Sequence, residues 1–219
     1  MHPRPLPGRF LVISASIAAC MACRAHAVVV GQPDTFSDGT VQSWFGGDTA
    51  AIAAGGPGGI GDLFLNVATN SGGGPGSHLA THNSDTRWTG DYITAGITSI
   101  QADMQNVGAT TLQMRLVLFG NGNRWTSTSA ITLAPGGGWQ HLTFPIGPGS
   151  LTEVAGSGSY ASSIAAVNQI MFRHDGSAPS SGGELINGKI GIDNVVAIPG
   201  PGGLGLLGAS GLLAMRRRR

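Results

Sequence analysis

The chain has 219 residues, 37 of them glycine, with 41% hydrophobic and 11% charged residues and a net charge of +1, which excludes an intrinsically disordered chain. Seven of its twelve basic residues sit at the two ends, so between them Arg87, Arg115, Arg124, Arg173 and Lys189 face all eleven acids. That central balance of −6 offers no basic footprint for phosphates and excludes nucleic-acid binding.

Residues 1–27 read as a signal peptide. Arg4 and Arg9 give a positive start, Phe10 to Ala22 an apolar run, and Ala25-His26-Ala27 the small-x-small pattern cut by signal peptidase before Val28. Ile17-Ala18-Ala19-Cys20 resembles a lipobox, an alternative in which Cys20 is lipidated; both readings imply export. Cys20 and Cys23 fall in this segment, so the mature domain would hold no disulfide, thiolate nucleophile or zinc–thiolate site.

From Val28 to Ile198, glycine and proline clusters recur at short intervals and apolar residues alternate with polar ones between them. Leu63, Leu65 and Val67 alternate with Phe64 and Asn66; Ile100, Ala102 and Met104 with Gln101 and Asp103; Leu112, Met114, Leu116 and Leu118 with Gln113 and Arg115. Leu142 and Phe144, Ile170 and Phe172, and Ile190 and Ile192 continue the series. This period of two predicts one all-β domain, an antiparallel β-sandwich with one face of each sheet buried. The Ser/Thr-rich stretch 126–132 reads as exposed strand. Leu151 to Val167 gives a helical hint through Val154, Ile164 and Val167.

Little in this domain points to catalysis. Gly56-Pro57-Gly58-Gly59-Ile60-Gly61 has the spacing of a dinucleotide loop, but a strand follows it and a proline sits inside, so it reads as a glycine loop. No nucleophile elbow is present. His78 and His82 on an extended segment stand roughly 13 Å apart, too far for one metal. The only glutamates, Glu153 and Glu184, lie among loop residues, whereas a glycosidase holds two acids about 5–10 Å apart. The domain is therefore expected not to be an enzyme. Trp88 and Tyr92, in a polar stretch, and Trp125, after Asn-Gly-Asn-Arg, are candidate platforms for sugar rings, with packing beneath loops as the alternative. Trp44 and Trp139 begin strands and read as core.

After Ile198 come Pro199 and Pro201, an apolar segment from Gly202 to Met215, and Arg216, Arg217, Arg218 and Arg219. As a helix the segment measures roughly 21 Å against a hydrocarbon core of about 30 Å, short for a permanent transmembrane helix. The arginines would stay cytoplasmic and hold the domain outside. The layout (residues 199–219) resembles the PEP-CTERM sorting signal, with Gly200 where that motif usually has glutamate. The resemblance implies an exosortase-like processing enzyme, transient inner-membrane anchoring, and delivery to the cell surface, outer membrane or extracellular matrix. Membrane contact would be made through the terminal segments alone.

The order Phe36-Ser37-Asp38-Gly39-Thr40, Gly61-Asp62-Leu63, Trp88-Thr89-Gly90-Asp91-Tyr92, Trp139-Gln140 and Ile190-Gly191-Ile192-Asp193-Asn194 resembles bacterial jelly-roll domains of the laminin IV type A and carbohydrate-binding-module kind. That resemblance implies one structural Ca²⁺ clamping the opening and closing strands through Asp38 and Asp193, hard oxygen ligands suited to calcium. The alternative is that Asp38 caps a turn and Asp193 makes a strand-end hydrogen bond. The sequence thus points to an exported, non-catalytic adhesive or structural protein. A carbohydrate-binding module for exopolysaccharide is the alternative and a secreted enzyme the third reading. Exposed aromatics would favour the second and acids converging in a cleft would favour the third.

Overall fold

The computed structural model describes residues 28–201 except 48, 71 and 74–76. The signal-peptide residues, with Ala25 and Ala27, and the tail from Gly202, with Arg216 to Arg219, lie outside the described residues. In chain order the elements are β1 (Thr49–Gly56), β2 (Gly59–Thr69), β3 (Ala80–Asn83), β4 (Ile97–Asn106), β5 (Leu112–Gly120) and β6 (Asn123–Ser127). They continue with β7 (Ile131–Leu133), β8 (Gln140–Pro145), β9 (Leu151–Ala155), α1 (Tyr160–Ile164), β10 (Val167–His174) and β11 (Gly188–Pro199).

The strands form two antiparallel sheets, one in the order β1-β2-β11-β4-β8 and one in the order β3-β10-β5-β6-β9, with β7 paired to β5. The period-two pattern sets their faces. In the first sheet Ile192 pairs with Leu65 and Met104, and Ala102 with Leu142, placing these residues on the inner side. In the second, Phe172 pairs with Leu116 and Ile170 with Leu118. Most of these side chains are fully buried. Trp44 stacks on Phe172 at 5.5 Å and meets Trp88 edge-on at 5.7 Å, while Phe144 tilts against Phe172 at 5.3 Å. Such pairs add about 0.5–1.5 kcal/mol each beyond the area they bury. Among the described residues the outcome is the expected jelly-roll sandwich, all-β save one short helix.

The opening segment closes against the last strand. Gly31 N–H donates to Ala197, and Asp34 and Val195 exchange both backbone hydrogen bonds. Asp34 is fully buried and accepts from the indole N–H groups of both Trp44 and Trp88 at 2.8 Å, with Arg87 ion-paired at 2.6 Å. On the outer side of the second sheet, Arg115 donates to the carbonyls of Ser127, Thr128, Asp175 and Ser177 and so pins the loop after β10 over that face.

Several expectations are corrected. The helical turn covers only Tyr160–Ile164, capped by Ser159, while Leu151–Ala155 is strand. Thr126 and Ser127 are buried, because β6 lies between β5 and β9 instead of at an edge. The glycine loop is the turn of the β1–β2 hairpin. Pro199 is the last residue of β11, and Gly200 N–H donates to the Gly96 carbonyl. A Cβ at Gly200 would come 2.8 Å from Thr98 Cγ2, so a side chain there would have to displace Thr98.

Candidate functional site: the outer face of the five-stranded sheet

Residues between the inward positions of β2, β11, β4 and β8 point away from the core: Asp62, Phe64, Asn66, Gly191, Asp193, Gln101, Asp103, Gln105 and His141. Cross-strand pairing aligns them into rows. Asp193 faces Asp103 and Asp103 faces His141; Asn66 faces Gly191 and Gly191 faces Gln105. On one such face, direct neighbours lie about 4.5–5.5 Å apart and diagonal ones about 7–8 Å.

The aromatic part centres on Gly191. A Cβ there would come 2.9 Å from Phe64 Cε2 and 2.9 Å from Trp139 Cη2, so only glycine lets both rings lie over the strand. The rings meet edge-on, with centroids 5.1 Å apart at 77°. Trp139 comes from the loop entering β8, and its Nε1 donates to Gly55 in the β1–β2 hairpin at 3.0 Å. Loop and hairpin therefore meet above β11 and close one end of the face. The indole stays partly exposed.

The polar part is a ladder across three strands. His141 Nδ1 lies 2.8 Å from Asp103 Oδ1 and its Nε2 3.3 Å from Gln101 Oε1. Asn194 Nδ2 donates to Asp103 Oδ2 at 2.8 Å. A bulge turns the Asn194 side chain toward Asp103: its φ is +50°, and the β11–β4 register shifts between Asp193 and Val196. Asp193, only 1% exposed, accepts one hydrogen bond, from the N–H of Asn194. Burial foremost, then the charges of Asp62 and Asp103, push its pKa up to about 7. A ring platform beside carboxylate, amide and imidazole groups can meet both the C–H faces and the hydroxyls of a sugar. Two cavities, of about 330 and 280 Å³, lie off this face; the first is walled by Ser127, Ile131, Phe144 and Ser150, the second by Thr69, Val107 and Lys189.

The sequence-derived candidates fare differently. Trp88 and Tyr92 are buried, at 2% and 0% exposure, with Trp88 bonded to Asp34 and the Tyr92 hydroxyl to the Trp88 carbonyl. Neither offers a ring face to a ligand. Trp125 pairs with the inward Leu118 and packs edge-on against Tyr160 at 5.6 Å, so it is a partly buried edge of the core. On the outer face of the five-stranded sheet Trp139 is the partly exposed ring, and it packs edge-on against Phe64, which is itself only 6% exposed. Asp38 lies in an exposed turn, where its Oδ1 accepts from Thr40 N–H and Oγ1. The acids acting on Asp193 are Asp62 and Asp103, not Asp38. Among the described residues no three His, Cys, Asp or Glu side chains are grouped to hold a metal. Glu153, which lies on β9 and not in a loop, accepts from Gly158 N–H, and Glu184 accepts from Ser177 N–H within its own loop. The sequence held signals for the missed residues, Trp139 and the alternating Asp103, and it singled out Asp193 for calcium, but it did not show their convergence.

No protein-family profile matches the chain, and no curated protein sequence matches it. Among solved structures it is similar to an exo-β-agarase at a TM-score of 0.57 and 15% identity, over 77% of this chain and 25% of the agarase chain. The chain thus spans about a quarter of that protein. It is also similar to a family 11 carbohydrate-binding module from Clostridium thermocellum, in complex with a β-1,3-1,4-mixed-linked tetrasaccharide, at a TM-score of 0.51 and 15% identity. That match covers 78% of this chain and 97% of the module. At these identities the likeness establishes the shared jelly-roll fold.

Proposed function

We propose that this domain binds a polysaccharide along the outer face of its five-stranded sheet and catalyses nothing. The carrying observation is the Phe64–Trp139 pair over Gly191, set beside the Gln101–His141–Asp103–Asn194 ladder. The Trp139 indole, backed by the buried Phe64, would stack against a sugar C–H face, and the ladder would exchange hydrogen bonds with hydroxyls. Likeness to a module whose structure contains a bound tetrasaccharide supports this over a purely adhesive role. Acids do gather on this face, as an enzyme would require. Asp103 and Asp193, however, stand side by side on one sheet, whereas glycosidase carboxyls flank the bond they cleave. The signal peptide and the basic tail would deliver such a module to the cell surface or matrix, through signal peptidase and an exosortase-like enzyme, where exopolysaccharide is the natural ligand.

Affinity electrophoresis in gels containing mixed-linked glucan, agarose or the native exopolysaccharide tests the reading. The intact domain should be retarded by at least one of these. Trp139→Ala and His141→Ala should each reduce retention several-fold, since a stacked ring is worth about 0.5–1.5 kcal/mol. Trp88→Ala should instead lower stability by about 3–5 kcal/mol, as large-to-small core substitutions do. Unchanged retention in both site variants, or no retention in any polysaccharide, would overturn the proposal.

A further inference from the structure

The face that carries Trp139 is stopped at one end and open at the other. Register along β4 sets its levels. At the first, Gln105 pairs with Gly191, over which the Trp139 indole lies. At the second, Asp103 pairs with His141, and at the third Gln101 pairs with Thr143. Ring and polar groups therefore follow one another along the strand direction, and Gln105 to Gln101 spans roughly 13 Å. Bonds within the ladder fix its orientation, and the His141 ring stays exposed beside them.

A bridge crosses the first level. Trp139 comes from the loop entering β8 and Gly55 from the end of β1, the two edge strands of this sheet, and the indole N–H donates to the Gly55 carbonyl at 3.0 Å. A chain lying along the strands meets this bridge and cannot continue. At the other end no such bridge stands. Thr143 and Pro145 are exposed there, and Val196, paired with Gln101, is partly so. A sugar ring packed against the indole can therefore have its neighbour on the ladder side alone, whereas an internal residue of a polysaccharide has neighbours on both sides.

We infer that this face recognises the terminal residue of a glycan chain. The end ring sits against the Trp139–Gly55 bridge, and the residues that follow run over Asp103, His141 and Gln101 and leave the sheet past Thr143. This inference rests on the sugar-binding reading and narrows its ligand to chain ends.

The test is isothermal titration of the purified protein with soluble mixed-linked glucan and with the native exopolysaccharide, each as long chains and after endo-hydrolysis to short ones. One protein should bind per chain at either length. A site count that grows with chain length, with binding still lost in Trp139→Ala, would overturn the end-binding inference and leave the sugar-binding reading standing. If neither glycan binds at either length, both fall. Borohydride opens the ring at the reducing end: binding lost on reduction assigns that terminus, and binding kept assigns the non-reducing one. Trp139→Phe keeps a ring but removes the N–H that reaches Gly55, so it should load more than one copy on each long chain. A single copy per long chain in this variant would place the stop elsewhere and overturn the inference.

Discussion

Asp193 shows how a single buried side chain can carry a stability cost that depends on pH. In the unfolded chain an aspartic acid ionises near pH 3.9, and in the fold Asp193 does so near 7. Between those values the native state holds a proton that the unfolded state lacks. Stability from this group therefore falls as pH rises from about 4 to about 7 and stays at its lower level above. Asp193→Asn removes the titration while keeping the shape. It should raise the melting temperature at about pH 8, by roughly 2–4 °C for each kcal/mol recovered in a domain of this size, and leave it nearly unchanged at about pH 4. Equal shifts at both pH values would show that the side chain acts through packing instead of charge. The tryptophans make the complementary point about what a sequence reveals. Trp88 follows a polar run yet lies in the core because its indole N–H meets Asp34, a partner 54 positions away. Trp139 and Trp44 read alike in the sequence, but Trp44 points inward onto Phe172 while Trp139 lies across the outer face. Local polarity cannot separate these cases, since the deciding contacts are all long-range.

At the level of the element, β11 organises the site. It sits between β2 and β4, carries glycine where two rings must approach and an aspartate where the ladder begins, and uses the bulge at Asn194 to turn an amide toward Asp103. Gly191→Ala should push Phe64 and Trp139 aside at a cost of about 1–3 kcal/mol, typical of overpacking. It should also cut polysaccharide retention at least as much as Trp139→Ala; full retention with a normal melting curve would mean that the ring pair is not the platform. Alternation made β2, β4, β5, β8, β10 and β11 legible, because each sets branched or aromatic residues against polar ones. Strand β1 escaped for the opposite reason: Thr-Ala-Ala-Ile-Ala-Ala-Gly-Gly places small residues on both faces and leaves no period to detect. The acids of the site were visible one by one as outward positions of β4 and β11. That they meet depends on pairing strands far apart in the chain, which periodicity does not report.

Across the whole molecule, the first and last described segments are held by the protein itself. Backbone bonds tie Gly31 to Ala197 and Asp34 to Val195, and the Asp34 carboxylate gathers Trp44, Trp88 and Arg87 behind that seam. A calcium ion bridging Asp38 and Asp193 would serve the same purpose; Asp38 Oδ1 accepts from Thr40 within its own turn, and the acids near Asp193 are Asp62 and Asp103. A metal that binds only the native state stabilises it by RT ln(1 + [L]/Kd), about 2.7 kcal/mol at a hundredfold excess over Kd. With the seam closed by Asp34, melting curves in excess calcium and in chelator should superimpose. Asp34→Ala, by contrast, should cost about 3–5 kcal/mol, because it leaves Arg87 unpaired and two buried indole N–H groups without an acceptor. A chelator-sensitive melting temperature would restore the clamp. Comparing Asp38→Asn with Asp193→Asn would then show which of the two carboxylates holds the ion, since only the ligand's substitution should abolish the chelator response.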